Sequence, residues 1–176
     1  TLYQGERGRA YLDRVDRTSR SVDWNFWLWR GLVTPEDAVL DFGCGPGWLL
    51  EKLDARRRVG VEINPAAPAL ARARGLEVHT STSSLPGASF TKVISSHALE
   101  HVASPDEALG ELGRGLRPDG ELILLLPLDD WRHPVQRRFH RNDPDMHLHA
   151  WTPQTLGNLL VAVGLEPRDI RVVTHA

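Results

Sequence analysis

Two short stretches constrain this chain more than anything else in it: Val39-Leu40-Asp41-Phe42-Gly43-Cys44-Gly45-Pro46-Gly47 and then Val59-Gly60-Val61-Glu62-Ile63. The first opens with a short apolar run bounded by turn residues, the pattern of a buried strand. It stops in a loop with glycine at alternate positions. Glycine there opens backbone angles closed to other residues and lets a ligand approach the main chain. The second apolar run ends in a carboxylate, Glu62. At the tip of a neighbouring strand such a group can accept two hydrogen bonds from a ribose diol. Together the two stretches describe a nucleoside site at the carboxyl ends of parallel strands.

A chain of 176 residues fits one domain and can bury a substantial core around that site. Its net charge of -2 argues against an electrostatic nucleic-acid binder. The lone cysteine, Cys44, excludes an intrachain disulfide. No apolar run reaches bilayer-spanning length and the N-terminus has no signal-peptide pattern, so a cytoplasmic protein is expected.

Asp41-Phe42-Gly43-Cys44-Gly45-Pro46-Gly47 resembles the first motif of class I S-adenosylmethionine-dependent methyltransferases, and Glu62 stands where that family keeps its ribose-binding acid. The resemblance continues through Ser95-Ser96-His97-Ala98-Leu99-Glu100-His101-Val102, with the Leu-Glu-His run of a small-molecule subgroup, and through Leu116-Arg117-Pro118-Asp119-Gly120-Glu121-Leu122. It covers residues 36 to 165. What it implies is an α/β fold, a Rossmann-like three-layer sandwich with a mostly parallel central sheet. The implied cofactor is S-adenosyl-L-methionine, leaving as S-adenosyl-L-homocysteine, and the implied partner is a small-molecule acceptor rather than nucleic acid or membrane. By the same resemblance Asp41, Gly43, Cys44, Gly45 and Gly47 face the methionine moiety, Glu62 the ribose, and Ile63, Ser81 and Thr82 the adenine. Ser96 falls where the family's fourth strand touches the cofactor. Relatives commonly carry an acid at the position of Ser81, and a Phe-Asp pair where this chain has Phe90-Thr91. Serine accepts less strongly, which shifts adenine recognition towards backbone groups and Ile63.

In chain order, residues 1 to 30 read as helical, and residues 1 to 33 as a cap before the first strand, with Tyr11, Leu12 and Val15 apolar among charges. Trp24, Trp27 and Leu28 share a face by their spacing. Packing against the sheet is the expected role; a lid over the cofactor or an acceptor wall is the other. Strands are expected over 38–42, 58–63, 76–79, 91–95 and 121–126, the fifth buried on both faces, and a last one over 168–174. Helices are expected over 48–54, 65–74 behind an Asn64-Pro65 cap, and 105–116 behind a Ser104-Pro105-Asp106-Glu107 capping box. Another follows Thr152-Pro153. Arg117 to Gly120 read as a turn. The seventh, antiparallel strand normal in this family is not legible. Residues 127–150, polar and rich in histidine, form an irregular insert on the acceptor side.

Methyl transfer from a sulfonium is an in-line displacement of an already activated group, so positioning can supply most of the catalysis. The first turn of helix 48–54 would aim N–H groups at the methionine carboxylate. His101 and His147 are the candidates for handling an acceptor proton. Zinc prefers tight ligand pairs joined by a spacer, and of His133, His140, His147 and His149 only the last two are close, two residues apart, so no residue is assigned to a metal. A nicotinamide dehydrogenase fails on the glycine spacing, because Gly45 is followed by Pro46, Gly47 and Trp48. A non-catalytic cofactor-binding or scaffold domain stays as the alternative to an enzyme.

Overall fold

Strand β1 (Ala38–Phe42) lies at the centre of a sheet whose order is β3-β2-β1-β4-β5, every neighbouring pair parallel. The structure is a computed structural model that describes residues 3, 5–17, 20–128 and 146–174. Strands β2 (Arg57–Val61), β3 (Glu77–His79), β4 (Phe90–Ser96) and β5 (Leu116–Leu125) complete the sheet. Helices α1 (Gly5–Arg17) and α2 (Arg20–Trp29) precede it. Helices α3 (Trp48–Lys52), α4 (Ala67–Ala73), α5 (Pro105–Gly115) and α6 (Pro153–Ala162) are interleaved with the strands or follow them. This is the expected Rossmann-like arrangement, in which the chain runs outward from β1 to β3 and returns to the other side of β1 at β4. A crevice must open where the direction reverses, at the carboxyl ends of β1 and β4.

Alternation along the strands divides the core into two layers. Val39 and Ile94 pack with Leu49, Leu50 and Leu53 of the α3 region, with Ala71 of α4 and with Trp29 of α2. Their neighbours Leu40 and Val93 point the other way, joining Val59, Val61, Phe90 and Leu112. Leu99, Leu109, Leu160 and Trp151 continue that second layer under α5 and α6. Burying each large aliphatic or aromatic side chain here stabilises the fold by about 1.5–3 kcal/mol. Among the described residues no helix is long and apolar enough to cross a membrane.

Several local expectations are corrected. Residues 117–120 are not a turn outside the sheet: Phe90 pairs with Leu116 and Lys92 with Glu121, so Arg117 to Gly120 are an irregularity within β5. β5 is half-buried along residues 121–125 rather than covered on both faces, because it is the edge of the described sheet. Residues 168–174 form no strand; Ile170 packs against the α5–α6 cluster while Val172 and Val173 stay exposed. Branched apolar residues favour a strand, but do not supply a partner with open N–H and C=O groups. Asn64 turns the chain with Pro65 and Ala66, and α4 starts only at Ala67 with Pro68 in its first turn. Ser104 precedes α5 without any side-chain cap bond, whereas Thr152 and Thr155 form a reciprocal capping box at α6. In α2 it is Trp29 that is buried, with Phe26 and Leu28 against it, and Trp27 is half exposed. The side chain of Trp24 and the segment 129–145, with His133 and His140, lie outside the described residues.

Thr91, at the family's Asp position, has a structural reason. Its hydroxyl donates to Asp37 Oδ1 at 2.7 Å and accepts from the Ala38 amide at 3.0 Å, stitching β4 to the start of β1. Thr34 bonds the other Asp37 oxygen through its amide and hydroxyl. Burial raises the Asp37 pKa, but the Thr91 and Thr34 hydrogen bonds outweigh it and hold the carboxyl below its ordinary value.

Gly60 of β2 faces α3, where an added Cβ would stand 2.4 Å from Cys44 Sγ and 3.4 Å from Leu50 Cδ1. Gly60→Ala is expected to destabilise the fold by about 1–3 kcal/mol, the range for overpacking a tight core. Cys44→Ala should recover part of that loss in the double variant, a non-additivity that urea unfolding of all four proteins would read.

Candidate functional site

The loop leaving β1 is held open by Glu62. The Gly45 amide donates to Glu62 Oε2 at 2.9 Å and the Asn64 amide to Oε1 at 2.7 Å. Each carboxylate oxygen therefore keeps a second lone pair. Gly43 and Cys44 both donate their amides to the Val61 carbonyl, which bends the loop over the end of β2. Gly43 and Gly45 have φ of 78° and 53°, in the left-handed region that favours glycine. They differ in surroundings. A Cβ on Gly43 would lie 2.4 Å from the Ala98 Cβ, so this position packs the loop against the segment after β4. A Cβ on Gly45 would meet nothing within 4 Å, so its face is turned to open space. Ile63, next to Glu62, is half exposed despite being apolar.

Asp41 lies beneath this loop and is fully buried. Burial, and then the nearby Glu62 charge, push its pKa from 3.8 up to about 7. Burial also raises the Glu62 pKa, against the lowering pull of the Asn64, Gly45 and Ile63 amides. Cys44 is an inert thiol, raised by burial and by the Asp41 and Glu62 charges, with its Sγ facing the Gly45 carbonyl at 3.6 Å.

A cavity of about 570 Å³ is walled by Tyr11, Asn25, His97, Glu100, His101 and His147 among others. No glycine of the loop lines it; His97 does, next in the chain to the Ala98 against which Gly43 packs. Helix α1 roofs this region. Its Gly8 carbonyl accepts from Asn64 Nδ2 at 2.9 Å, while the Tyr11 ring lies 6.5 Å from that of His101. Within the wall, Glu100 is wholly buried and neither of its carboxylate oxygens has a hydrogen-bond partner. His97, just past β4, takes φ of 51°, and Met146, before His147, takes 50°. Non-glycine residues in that region are held there against strain.

Known proteins of this architecture share its sequence pattern. A family model described as "Methyltransferase domain" matches residues 3–170. The chain belongs to this methyltransferase family. An uncharacterized methyltransferase of Mycobacterium tuberculosis is 35% identical over 96 residues, covering 49% of this chain and 49% of that protein. An uncharacterized 37.1 kDa protein in a transposon of Streptomyces fradiae is 31% identical over 136 residues, covering 69% of this chain and 39% of its own length. The chain thus spans half or less of these curated relatives. Among solved structures, a SAM-dependent methyltransferase from Thermotoga maritima superposes with a TM-score of 0.70 at 20% identity, over 89% of this chain and 80% of that one. One from Aquifex aeolicus gives 0.65 at 19%, over 88% and 87%. The fold is also that of the [4+2]-cyclase SpnF, with a TM-score of 0.61 at 22% identity, over 80% and 56%.

S-adenosyl-L-methionine is the cofactor of the family, and the residues of this methyltransferase domain fit it. The open face of Gly45, the spare lone pairs of Glu62 and the exposed Ile63 converge at the end of β1 and β2. Gly47 precedes the first turn of α3, with no side chain capping its amides. Ser96 ends β4 beside this crevice. Ser81 and Thr82 lie in a single 3-10 turn after β3 and already have partners: the Ser81 hydroxyl accepts from the Ser83 amide, and the Thr82 hydroxyl bonds Glu111 of α5. His101 and His147 come together, with ring centroids 4.9 Å apart. His149 does not join them; its Nε2 bonds the Val102 carbonyl at 2.8 Å. Sequence reasoning missed Glu100, His97, Tyr11 and Asn25 as wall residues. The signal available was a carboxylate inside the Leu-Glu-His run, framed by histidines one residue after it and three before.

The Asp41 shift has a defined sign. Between pH 3.8 and about 7 the folded chain retains a proton that the unfolded chain has released. Its contribution to stability is full below that window and is lost as pH rises through it. Asp41→Asn should flatten the decline, by up to about 1.4 kcal/mol per pH unit, in urea unfolding followed across the window.

Proposed function

We propose that this methyltransferase domain transfers the methyl group of S-adenosyl-L-methionine to a small-molecule acceptor bound in the cavity under α1. One observation carries the reading: a glycine loop with an open face, tied to an acidic strand end and packed on Ala98, stands beside the segment whose His97, Glu100 and His101 line a half-open cavity. The bound cofactor supplies an electrophilic methyl on a sulfonium. The chain's part is binding and orientation. The amides of Gly43, Cys44, Gly45 and Gly47, with Asp41 behind them, hold the amino-acid end. Glu62 accepts from the ribose diol, Ile63 lies against the adenine, and Ser81, Thr82 and Ser96 complete the pocket. Helix α1 excludes water from above, and His101 and His147 face the acceptor and manage its proton. A net charge of -2 favours a small molecule over nucleic acid.

Calorimetry with S-adenosyl-L-methionine, S-adenosyl-L-homocysteine and NAD tests the cofactor assignment. The first two should bind and NAD should not. Glu62→Gln puts an amide NH2 opposite the Gly45 or Asn64 N–H, and affinity should fall by about 10–100-fold, the loss of one or two charged hydrogen bonds. His147→Ala should leave cofactor affinity intact while lowering incorporation of labelled methyl from a metabolite pool. Cofactor binding with no incorporation into any acceptor would favour the scaffold reading.

A further inference from the structure

Glu100 is the charge that its surroundings account for least. It is fully buried, and its two carboxylate oxygens receive no hydrogen bond. Leaving such a group buried without a partner is costly, and a bound ligand or ion would meet that cost. Three imidazole nitrogens converge on Oε1: His97 Nδ1 at 3.7 Å, His101 Nε2 at 3.7 Å and His147 Nε2 at 3.9 Å.

Those separations decide between a direct charge pair and a shared cation. A charge-assisted N–H···O bond closes to about 2.7–2.9 Å, and none of the three has done so. Two ligand atoms each about 2.1 Å from one ion stand roughly 3.0–3.4 Å apart across octahedral or tetrahedral angles. One ligand atom from each of Glu100, His101 and His147 lies within 4.8 Å of the others, so an ion would draw the widest pair in by at most about 1.4–1.8 Å, a movement that side-chain rotation supplies. The rings are set for it as well. His101 Nδ1 faces the Met146 carbonyl oxygen at 3.4 Å. A proton on Nδ1 leaves the Nε2 lone pair towards Glu100, as in ligating histidines oriented by a carbonyl behind them. The Leu148 and His149 amides donate to the Glu100 carbonyl at 2.8 and 3.1 Å, which pins the chain carrying His147 above the carboxylate.

We propose that Glu100, His101 and His147 bind a divalent transition-metal ion at the wall of the cavity, with His97 alongside. Two imidazoles and one carboxylate suit zinc, cobalt, manganese or iron, and not calcium or magnesium. Three protein ligands leave open positions, and the residues concerned line the cavity. There the ion would take an oxygen or nitrogen of the acceptor and ease loss of its proton to solvent, so that His101 and His147 would act on that proton through the ion rather than as bases. That last role rests on the methyl-transfer reading; metal binding does not.

The test uses the 176-residue chain, freed of metal by chelator and dialysis and titrated with zinc and with cobalt. One equivalent should bind, and the cobalt form should show d–d absorption from nitrogen–oxygen coordination. Glu100→Gln and His147→Ala should each weaken binding at least about 10–100-fold. His147 is partly exposed, so its variant reports even if Glu100→Gln fails to fold. Absence of stoichiometric binding, a preference for magnesium, or unchanged affinity in both variants would each overturn the site. Cobalt binding in a chain that takes up neither S-adenosyl-L-methionine nor S-adenosyl-L-homocysteine would support the metal site while removing the methyl-transfer reading.

Discussion

The carboxylate of Glu62 is the joint on which this domain turns. One oxygen takes the Gly45 amide and the other the Asn64 amide, so the loop after β1 and the turn after β2 share a single anchor. The tie extends further than the crevice. The Glu62 amide donates to the His79 carbonyl at the end of β3, and the Asn64 side chain reaches the Gly8 carbonyl of α1. Three strand ends and the roofing helix are thereby set relative to one acidic side chain. In a buried, low-dielectric setting such linked bonds reinforce one another.

Much of this was legible in the sequence because it depends on local chemistry. Apolar runs stopping at Gly43 and Glu62 set the strand ends, and β1 spans the expected residues. Proline and glycine punctuation located α5 and α6 to within a residue or so. What failed needed knowledge of partners. Ile170, Val172 and Val173 are strand-forming residues, yet nothing in them says whether a neighbouring strand is there to pair with. The aromatic run in α2 could not reveal that Trp29 rather than Trp27 turns inward, since the two lie on nearly opposite faces of the helix and each face carries aromatic residues. Ser104 has the right residue type for a cap and makes no cap bond, whereas the less obvious Thr152–Thr155 pair does.

The candidate site divides along the same line. Its cofactor half is nearly contiguous in sequence, so spacing announces it. The cavity half is assembled from α1, α2, the turn after β4 and the chain entering α6. Glu100 drew no notice as a wall residue because a glutamate in a helix-start sequence is usually solvated, and only the tertiary packing shows it sealed in. His147 and His149 looked like a pair by separation, but one turns to Glu100 and the other to the Val102 carbonyl.

The Glu100 carbonyl, holding the Leu148 and His149 amides, links residues nearly fifty positions apart. That separation is comparable with the one across β1 and β4, where Val39 pairs with Lys92. The wall of the cavity and the loop beyond β1 therefore hang on different backbone bonds. A change near α6 that loosens Leu148 and His149 would leave the parallel strands paired and be felt in the chamber alone.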